Sequence, residues 1–370
     1  MQALSAERLI GRLYKSLPDH VTDSLDGKQV ARLIVSLAGC EAVGSAHEIE
    51  TCFEKIKGYR KVLKELQSIP QVAQRSPEWY AMRQKMLTAS DTAQAMGLGK
   101  FGNRADLLTK KRNERKGILV PFKTLPPMKW GIMFEAMAAR CYQAVRDNVE
   151  IHEFGLLCHP TLPYGASPDG ITDLGIMIEI KCPYRRKING EVLEQYAIQM
   201  QGQMAVCRLL ECDFVECEMD CYNNEDEYLE ALADALDIEP ANHGVIAEFN
   251  TAGVTSYIYS DIPSGPDGPE GPEGIIRNIQ NQSIALMRAD PSVNLVRFHY
   301  WKLRKMLIQR IQYDPDYFNG TVVPEIVRFW DETGVEPTAN AGGGSVDVGG
   351  SAVASSDVPK AKKKAKKTVV

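Results

Sequence analysis

A short hairpin pattern in residues 164–187 constrains the fold of this chain more than any other feature. The run IMIEIK is rich in β-branched residues, and the preceding DLG supplies a turn centred on Leu174. Asp169 and Glu179 lie at equal distances from that centre, so they face each other. Directly opposed residues have Cβ atoms about 4.5–5.5 Å apart. The sequence therefore predicts two carboxylates opposed across a β-hairpin.

This opposition predicts a bound cation. Two unpaired carboxylates at that separation repel each other unless a cation lies between them. Glu179 and Lys181 share one face of their strand because side chains alternate. Oxygen ligands suit Mg²⁺ or Mn²⁺, and an ammonium beside the metal can orient an attacking water or help to deprotonate it. These groups favour phosphodiester hydrolysis, whereas an isolated Glu-x-Lys is more often a surface ion pair.

Charge is distributed unevenly along the chain. The 370 residues carry a net charge of −5. Residues 209–240 contain twelve Asp and Glu and no Lys or Arg, whereas basic residues are concentrated at 100–116, 181–187 and 297–310. A locally positive groove for DNA and three unrelated solvated faces are both consistent with this distribution.

The length of the chain and the changes in composition along it predict three segments. We expect a helical N-terminal extension at 1–74, a main domain at 75–334, and a Gly/Ser linker with a Lys-rich tail at 335–370. The tail run KAKKKAKK is typical of a nuclear-import signal or of a tether to DNA. No stretch is long and apolar enough for a membrane span, and no signal core is evident, which predicts an intracellular protein without a membrane partner. The nine cysteines include no CxxC pair, so we expect reduced core residues.

Several motifs together resemble one nuclease family. S-P-D-G, followed ten residues after its Asp by E-I-K, resembles the PD-(D/E)xK signature, and specifically that of the YqaJ-type viral recombinases that include phage lambda exonuclease. EWYAMRQKMLTASD resembles the family's first motif, whose phosphate-binding Arg and Ser are here Arg83 and Ser90. Ser90 alone predicts the N-cap of a short helix. The resemblance also implies roles for Glu135, on an amphipathic helix, and for Gln201, on the helix after the catalytic strand.

The expected fold is α/β, with a mixed central sheet that carries the hairpin and helices that flank it. The resemblance implies a PD-(D/E)xK restriction-endonuclease-like core. In the implied site, Asp169, Glu179 and the Ile180 carbonyl hold Mg²⁺, or Mn²⁺ in its place. Glu135 completes the metal site or orients its water, and Lys181 and Gln201 position the water.

The implied activity is a metal-dependent 5′-to-3′ exodeoxyribonuclease that processes double-stranded DNA ends and leaves 3′ single strands for viral recombination. The implied partners are DNA ends, a single-strand-annealing or recombination protein, and two further copies in a trimer around DNA, in the host nucleus or at a viral replication site. Three alternatives stay open: a repair or restriction endonuclease, a non-catalytic module that binds DNA ends, and a protein-binding role for the acidic block at 209–240.

Overall fold

An eight-stranded mixed sheet organises the part of the chain that the structure describes. The structure is a computed structural model, and it describes residues 5–38, 45–74, 76–100, 102–118, 124–233, 240–261, 271–334 and 368–369. The linker and lysine run expected at 335–367 lie outside the described residues.

The helices are α1 (Ala6–Ser16), α2 (Asp19–Ser24), α3 (Gly27–Ala38), α4 (Ala46–Gln67), α5 (Pro77–Gln84), α6 (Ala89–Ala95), α7 (Arg104–Arg115), α8 (Pro126–Val145), α9 (Glu194–Cys207), α10 (Glu225–Ala233), α11 (Gly271–Ala289), α12 (Pro315–Tyr317) and α13 (Val323–Thr333). The strands are β1 (Leu87–Thr88), β2 (Ile151–His152), β3 (Leu157–Cys158), β4 (Tyr164–Ala166), β5 (Gly170–Thr172), β6 (Met177–Lys181), β7 (Glu211–Tyr222), β8 (His243–Thr251), β9 (Val254–Tyr259), β10 (Val293–Gln312) and β11 (Thr368–Val369).

The large sheet has the strand order β2-β5-β6-β7-β10-β8-β9, and β11 pairs with β10 outside this path. The pair β6 and β7 is parallel, whereas the other neighbours are antiparallel. The parallel pair needs a crossover, and α9 supplies it between the two strands. A small second sheet has the order β1-β4-β3. The α/β class with a mixed, helix-flanked sheet is therefore confirmed.

The predicted hairpin is formed by β5 and β6. Gly170 pairs with Ile178, and Ile171 pairs with Met177, so the register is centred on Leu174 as the sequence predicted. Gly175 closes the turn with φ +73°, and its N–H donates to the Thr172 carbonyl at 2.7 Å. A Cβ at this position would lie 2.6 Å from the Tyr59 backbone, so the turn requires glycine both for its backbone conformation and for its close contact with α4.

The N-terminal helices pack directly on the main sheet. Ile10 of α1 and Phe53 of α4 are fully buried, and they share one hydrophobic cluster with Phe134 of α8 and Ile178 of β6. These helices therefore cover the face of the sheet opposite the side chains of Glu179 and Lys181, since Ile178 points away from them. No helix in the described ranges combines the length and apolarity that crossing a bilayer would demand.

Candidate active site

Three carboxylates lie near one another at the start of the β5–β6 hairpin. Asp169 precedes β5, and its Oδ2 accepts a hydrogen bond of 2.6 Å from the Ile180 backbone N–H. Burial raises the pKa of Asp169 well above its usual range, and repulsion from Glu179 and Glu135 raises it further. Glu179 and Glu135 therefore both lie near enough to Asp169 to repel its charge, and these three side chains make up one acidic cluster, as the hairpin symmetry predicted for Asp169 and Glu179.

Glu179 lies fully buried at the centre of this cluster. One of its carboxylate oxygens, Oε1, accepts from Lys181 Nζ and from Gln199 Nε2, the latter at 2.7 Å. The other, Oε2, accepts from Gln203 Nε2 at 2.7 Å. These charge-assisted bonds fix the orientation of the carboxylate.

Lys181 brings a positive charge to the same face. Burial lowers the pKa of the Lys181 ammonium, but attraction to Glu179 and Asp169 outweighs burial, so the pKa is raised above its usual value. Its Nζ also lies 5.2 Å from the centre of the Tyr196 ring. The ammonium therefore stays protonated, which suits it to donate hydrogen bonds.

The structure does not bring Gln201 to the acidic cluster, contrary to the expected placement. Its Nε2 donates to the Gln312 carbonyl at 2.9 Å, and its Oε1 accepts from the Asp314 N–H at 2.7 Å. Two residues along a helix correspond to a rotation of about 200°, so Gln201 faces away from the side of α9 that carries Gln199 and Gln203. These two glutamines were missed, although their i, i+4 spacing marks one helix face.

The donor set of the cluster fits a divalent metal ion. Asp169, Glu179 and Glu135 supply carboxylate oxygens, the Ile180 carbonyl is adjacent in sequence, and Lys181 supplies the one neighbouring ammonium among the groups that shift the pKa of Asp169. Hard oxygen donors of this kind suit Mg²⁺, which retains waters and needs few protein ligands. In the described ranges, no three His, Cys, Asp or Glu side chains are already arranged around a common point for an ion. The fit therefore rests on donor chemistry and excess negative charge.

Arg83 and Ser90, the pair that the family resemblance implied, lie within hydrogen-bonding distance of each other. An Arg83 amino group donates to Thr88 Oγ1 at 3.3 Å and to Ser90 Oγ at 3.4 Å. The Arg83 guanidinium lies 4.4 Å from the centre of the Trp79 ring, and Trp79 Nε1 donates to Ser167 Oγ at 3.1 Å. Ser167 is two residues before Asp169, so this polar pocket and the acidic cluster are attached to the same hairpin.

Ser90 is not the N-cap of its helix, which corrects the expectation. The N-cap of α6 is Thr88, and Ser90 lies in the first turn. Thr88 is held extended because β1 pairs with β4, where Thr88 faces Gly165. The helix can therefore begin only after Thr88, which leaves the exposed Ser90 hydroxyl beside Arg83.

Buried charges support this pocket from behind. Asp91 accepts from Thr88 Oγ1 at 2.9 Å. Burial raises the pKa of Asp91, but attraction to Lys110, Lys111 and Arg83 outweighs it, so the pKa is lowered. Lys111, only 2% exposed, donates to the Arg83 carbonyl at 2.8 Å. These contacts hold the Arg83 backbone in place, so the pocket is organised before any ligand arrives.

The basic run at 100–116 is largely engaged within the protein. Arg104 pairs with Glu325 at 3.2 Å and with Glu332 at 3.0 Å. Arg112 donates to the Thr333 carbonyl at 3.2 Å, and Arg115 donates to the Lys85 carbonyl at 3.3 Å. These arginines attach α7 to its neighbours, which reduces their role as a continuous surface for DNA.

The acidic block is also partly internal. Glu211, Asp213 and Glu216 lie on β7 with exposures of 6%, 0% and 0%. Glu216 pairs with Arg186, so part of the basic run at 181–187 is neutralised as well. The hypothesis of an acidic protein-binding surface is therefore wrong for these three positions of the strand.

Comparisons with known proteins agree with the motifs. Residues 78–209 match the family model of the YqaJ-like viral recombinase domain. The chain is 26% identical over 303 residues to an uncharacterized protein of Acanthamoeba polyphaga mimivirus, and the match covers 72% of this chain and 53% of that protein. It is 25% identical over 162 residues to a protein of African swine fever virus, covering 36% and 46% of the two chains. The chain thus spans about half the length of these curated relatives.

Two solved structures are similar to this chain at low sequence identity. An alkaline exonuclease from Laribacter hongkongensis is 21% identical with a TM-score of 0.41, covering 70% of this chain and 93% of that one. A phage related exonuclease from Haemophilus somnus is 11% identical with a TM-score of 0.36, covering 67% and 94%.

Proposed function

We propose that the protein is a metal-dependent exodeoxyribonuclease that processes the ends of double-stranded DNA, since residues 78–209 match the family model of the YqaJ-like viral recombinase domain. The observation that supports this most strongly is the mutual repulsion of Asp169, Glu179 and Glu135 near the Lys181 ammonium, which contacts Glu179. Such a cluster is costly to fold, because buried like charges repel each other. A function that needs a cation and a charged phosphate at this point explains why it is present.

The residues of the cluster take separate roles in this proposal. Asp169, Glu179 and the Ile180 carbonyl would hold Mg²⁺, or Mn²⁺ in its place, with Glu135 as a further ligand or water contact. The bound ion would polarise the scissile phosphate and lower the pKa of the attacking water. Lys181, which donates to Glu179, would also donate a hydrogen bond that orients this water.

The helix α9 orients Glu179 but supplies no ligand to the proposed metal ion. Gln199 and Gln203 each donate to Glu179, which fixes the direction of its carboxylate. Gln201, the glutamine that the family resemblance suggested for the water, is engaged with the end of β10 instead. We therefore assign the supporting role to the pair at 199 and 203.

The proposal also covers the polarity of DNA degradation and the binding partners of the protein. The Arg83 and Ser90 pocket is suited to a terminal 5′-phosphate, which favours 5′-to-3′ degradation and a 3′ single-stranded product for recombination. A trimer around DNA, an annealing partner, and a nuclear or viral replication site follow from the resemblance alone. Each of these is a proposal for the whole protein.

A cleavage assay on two DNA forms tests the proposed function. The purified chain is incubated with linear duplex and with covalently closed circular DNA, in Mg²⁺ and in EDTA. We expect mononucleotide release from linear DNA in Mg²⁺, with an intact circle and no reaction in EDTA. Cutting of the circle would favour an endonuclease. Binding of DNA without cleavage, both in Mg²⁺ and in EDTA, would favour a non-catalytic module.

Arg83→Ala is expected to remove the preference for 5′-phosphorylated ends. The guanidinium offers charge-assisted hydrogen bonds worth about 1.5–3 kcal/mol each, or roughly 10- to 150-fold in initial rate. We would compare initial rates on duplexes that differ only in a 5′-phosphate or a 5′-hydroxyl. Arg328→Ala, at a 59% exposed side chain, is the matched control. Equal loss on both duplexes would contradict the pocket's role.

A further inference from the structure

An exposed aromatic side chain lies just beyond the catalytic strand. Tyr184 follows Lys181 by three residues and is 39% exposed. Its ring centre lies 5.4 Å from that of Trp130 in an edge-to-face arrangement. Trp130 in turn packs on Phe134, with the ring centres 4.6 Å apart. The outermost ring of these three packed aromatic rings is therefore presented to solvent.

A guanidinium accompanies this ring. Arg185 lies with its guanidinium carbon 5.2 Å from the centre of the Tyr184 ring. Its neighbours Arg186 and Lys187 are both paired with acids of β7. Arg185 forms no salt bridge with any residue in the described ranges, so its charge is not neutralised by the fold there. An exposed ring and an unneutralised cation side by side form a surface that suits a flat, anionic ligand.

Both supports of this surface also carry residues of the acidic cluster. Only two residues separate Tyr184 from Lys181 of β6. Trp130 lies on α8 about 1.4 helical turns before Glu135. The aromatic rings and the acidic cluster are thus attached to the same two elements, and Tyr184 and Lys181, three residues apart, have Cα atoms no more than about 11 Å from each other.

We propose that Tyr184, backed by Trp130 and flanked by Arg185, stacks a nucleobase of the DNA strand whose backbone enters the acidic cluster. This inference rests on the proposed function and adds a base-binding position to it. Stacking on an aromatic ring tolerates any sequence, because every base has a π-face, and an adjacent guanidinium adds attraction to the base and to the backbone. A nuclease that degrades DNA from its end must bind each successive base, so a sequence-tolerant contact fits the task.

Abasic scanning tests the assignment of a base to Tyr184. Short duplexes carry one abasic residue at each of the terminal positions in turn, and their binding to the full chain is measured in EDTA and in Ca²⁺. We expect one position at which base removal weakens binding about 5- to 150-fold, the range of base-aromatic stacking. Tyr184→Ala should bind intact DNA more weakly by a similar factor and should lose the dependence at that position, because the two changes remove the same contact.

Two further variants serve as controls for the loss of the aromatic ring. Tyr184→Phe keeps the ring and should retain the abasic profile, whereas Val254→Ala, at a 68% exposed side chain on β9, should leave both affinity and profile unchanged. A Tyr184→Ala protein with the original abasic profile, or with equal loss on every duplex, would overturn the base-stacking role while leaving the proposed nuclease intact. Failure of the unchanged chain to bind DNA in either condition would overturn both.

Discussion

Replacing Glu179 with Gln is expected to reduce DNA cleavage by at least about 100-fold, the order of loss seen when one preorganised polar group is removed from a catalytic site. The change keeps the size of the side chain but removes the negative charge that a metal ion needs. It also removes the charge that Lys181 contacts and one acceptor for the glutamines of α9. Rates of nucleotide release from linear duplex in Mg²⁺ would measure the effect.

The control separates catalysis from folding. Glu65→Gln alters an acid whose side chain is 44% exposed and which pairs with Arg208 at 2.9 Å, so it should leave cleavage and unfolding unchanged. The Glu179→Gln protein should still bind DNA and unfold cooperatively. Lys181→Ala should lose cleavage in the same way. Full activity in either variant of the cluster would remove the basis of the proposed mechanism.

The hairpin was predictable because its determinants are local. The turn residues, the β-branched run and the alternation of side chains fix the register within a few residues of Leu174. A register error of one residue would have placed Glu179 on the core side, so the prediction was specific. The placement of Asp169 and Glu179 therefore followed from the sequence without knowledge of the rest of the fold.

Orientation of the neighbouring helices was harder to predict because it depends on tertiary packing. Positions 199, 201 and 203 are all glutamine, so residue type does not distinguish them. Only the placement of α9 beside β6 decides which helix face contacts Glu179. Similarly, Thr88 and Ser90 are both good N-caps, and the pairing of β1 with β4 decides between them. Local propensity predicts that helices form in both places. It does not predict which face of α9 contacts Glu179 or at which residue α6 begins.

Charge clustering was the least reliable signal. The basic runs and the acidic block are separate in sequence, yet the fold pairs parts of them, as at Arg186 and Glu216. Pairing across such distances cannot be seen in a count of charges. It also changes the functional interpretation, because a paired and buried charge contributes little to attraction of DNA.

Replacing Arg310 with Met is expected to lower the free energy of unfolding by about 3–5 kcal/mol, since it leaves the buried acids Asp213 and Glu211 without one of their two cationic partners. Arg310 donates to Asp213 at 2.6 Å, to Glu211 at 2.6 Å and to Glu7 of α1 at 3.1 Å. Asp213 is fully buried, so its charge cannot recover water. Chemical denaturation would measure the loss, with Arg328→Met at an exposed pair expected to change stability by less than about 0.5 kcal/mol.

The pH dependence of the stability loss distinguishes a buried unpaired charge from a simple packing defect in the Arg310→Met variant. Burial raises the pKa of Asp213, but Arg310 and Arg146 outweigh it, so in the folded protein the pKa is lowered below its usual 3.8. The stability from this pairing is therefore present above the unfolded pKa and lost as the pH falls through the folded value. Without Arg310 the folded pKa of Asp213 rises, and its protonation on acidification relieves the buried charge. The difference in stability between the two proteins should thus narrow between neutral pH and about pH 4, whereas a packing defect would leave it constant.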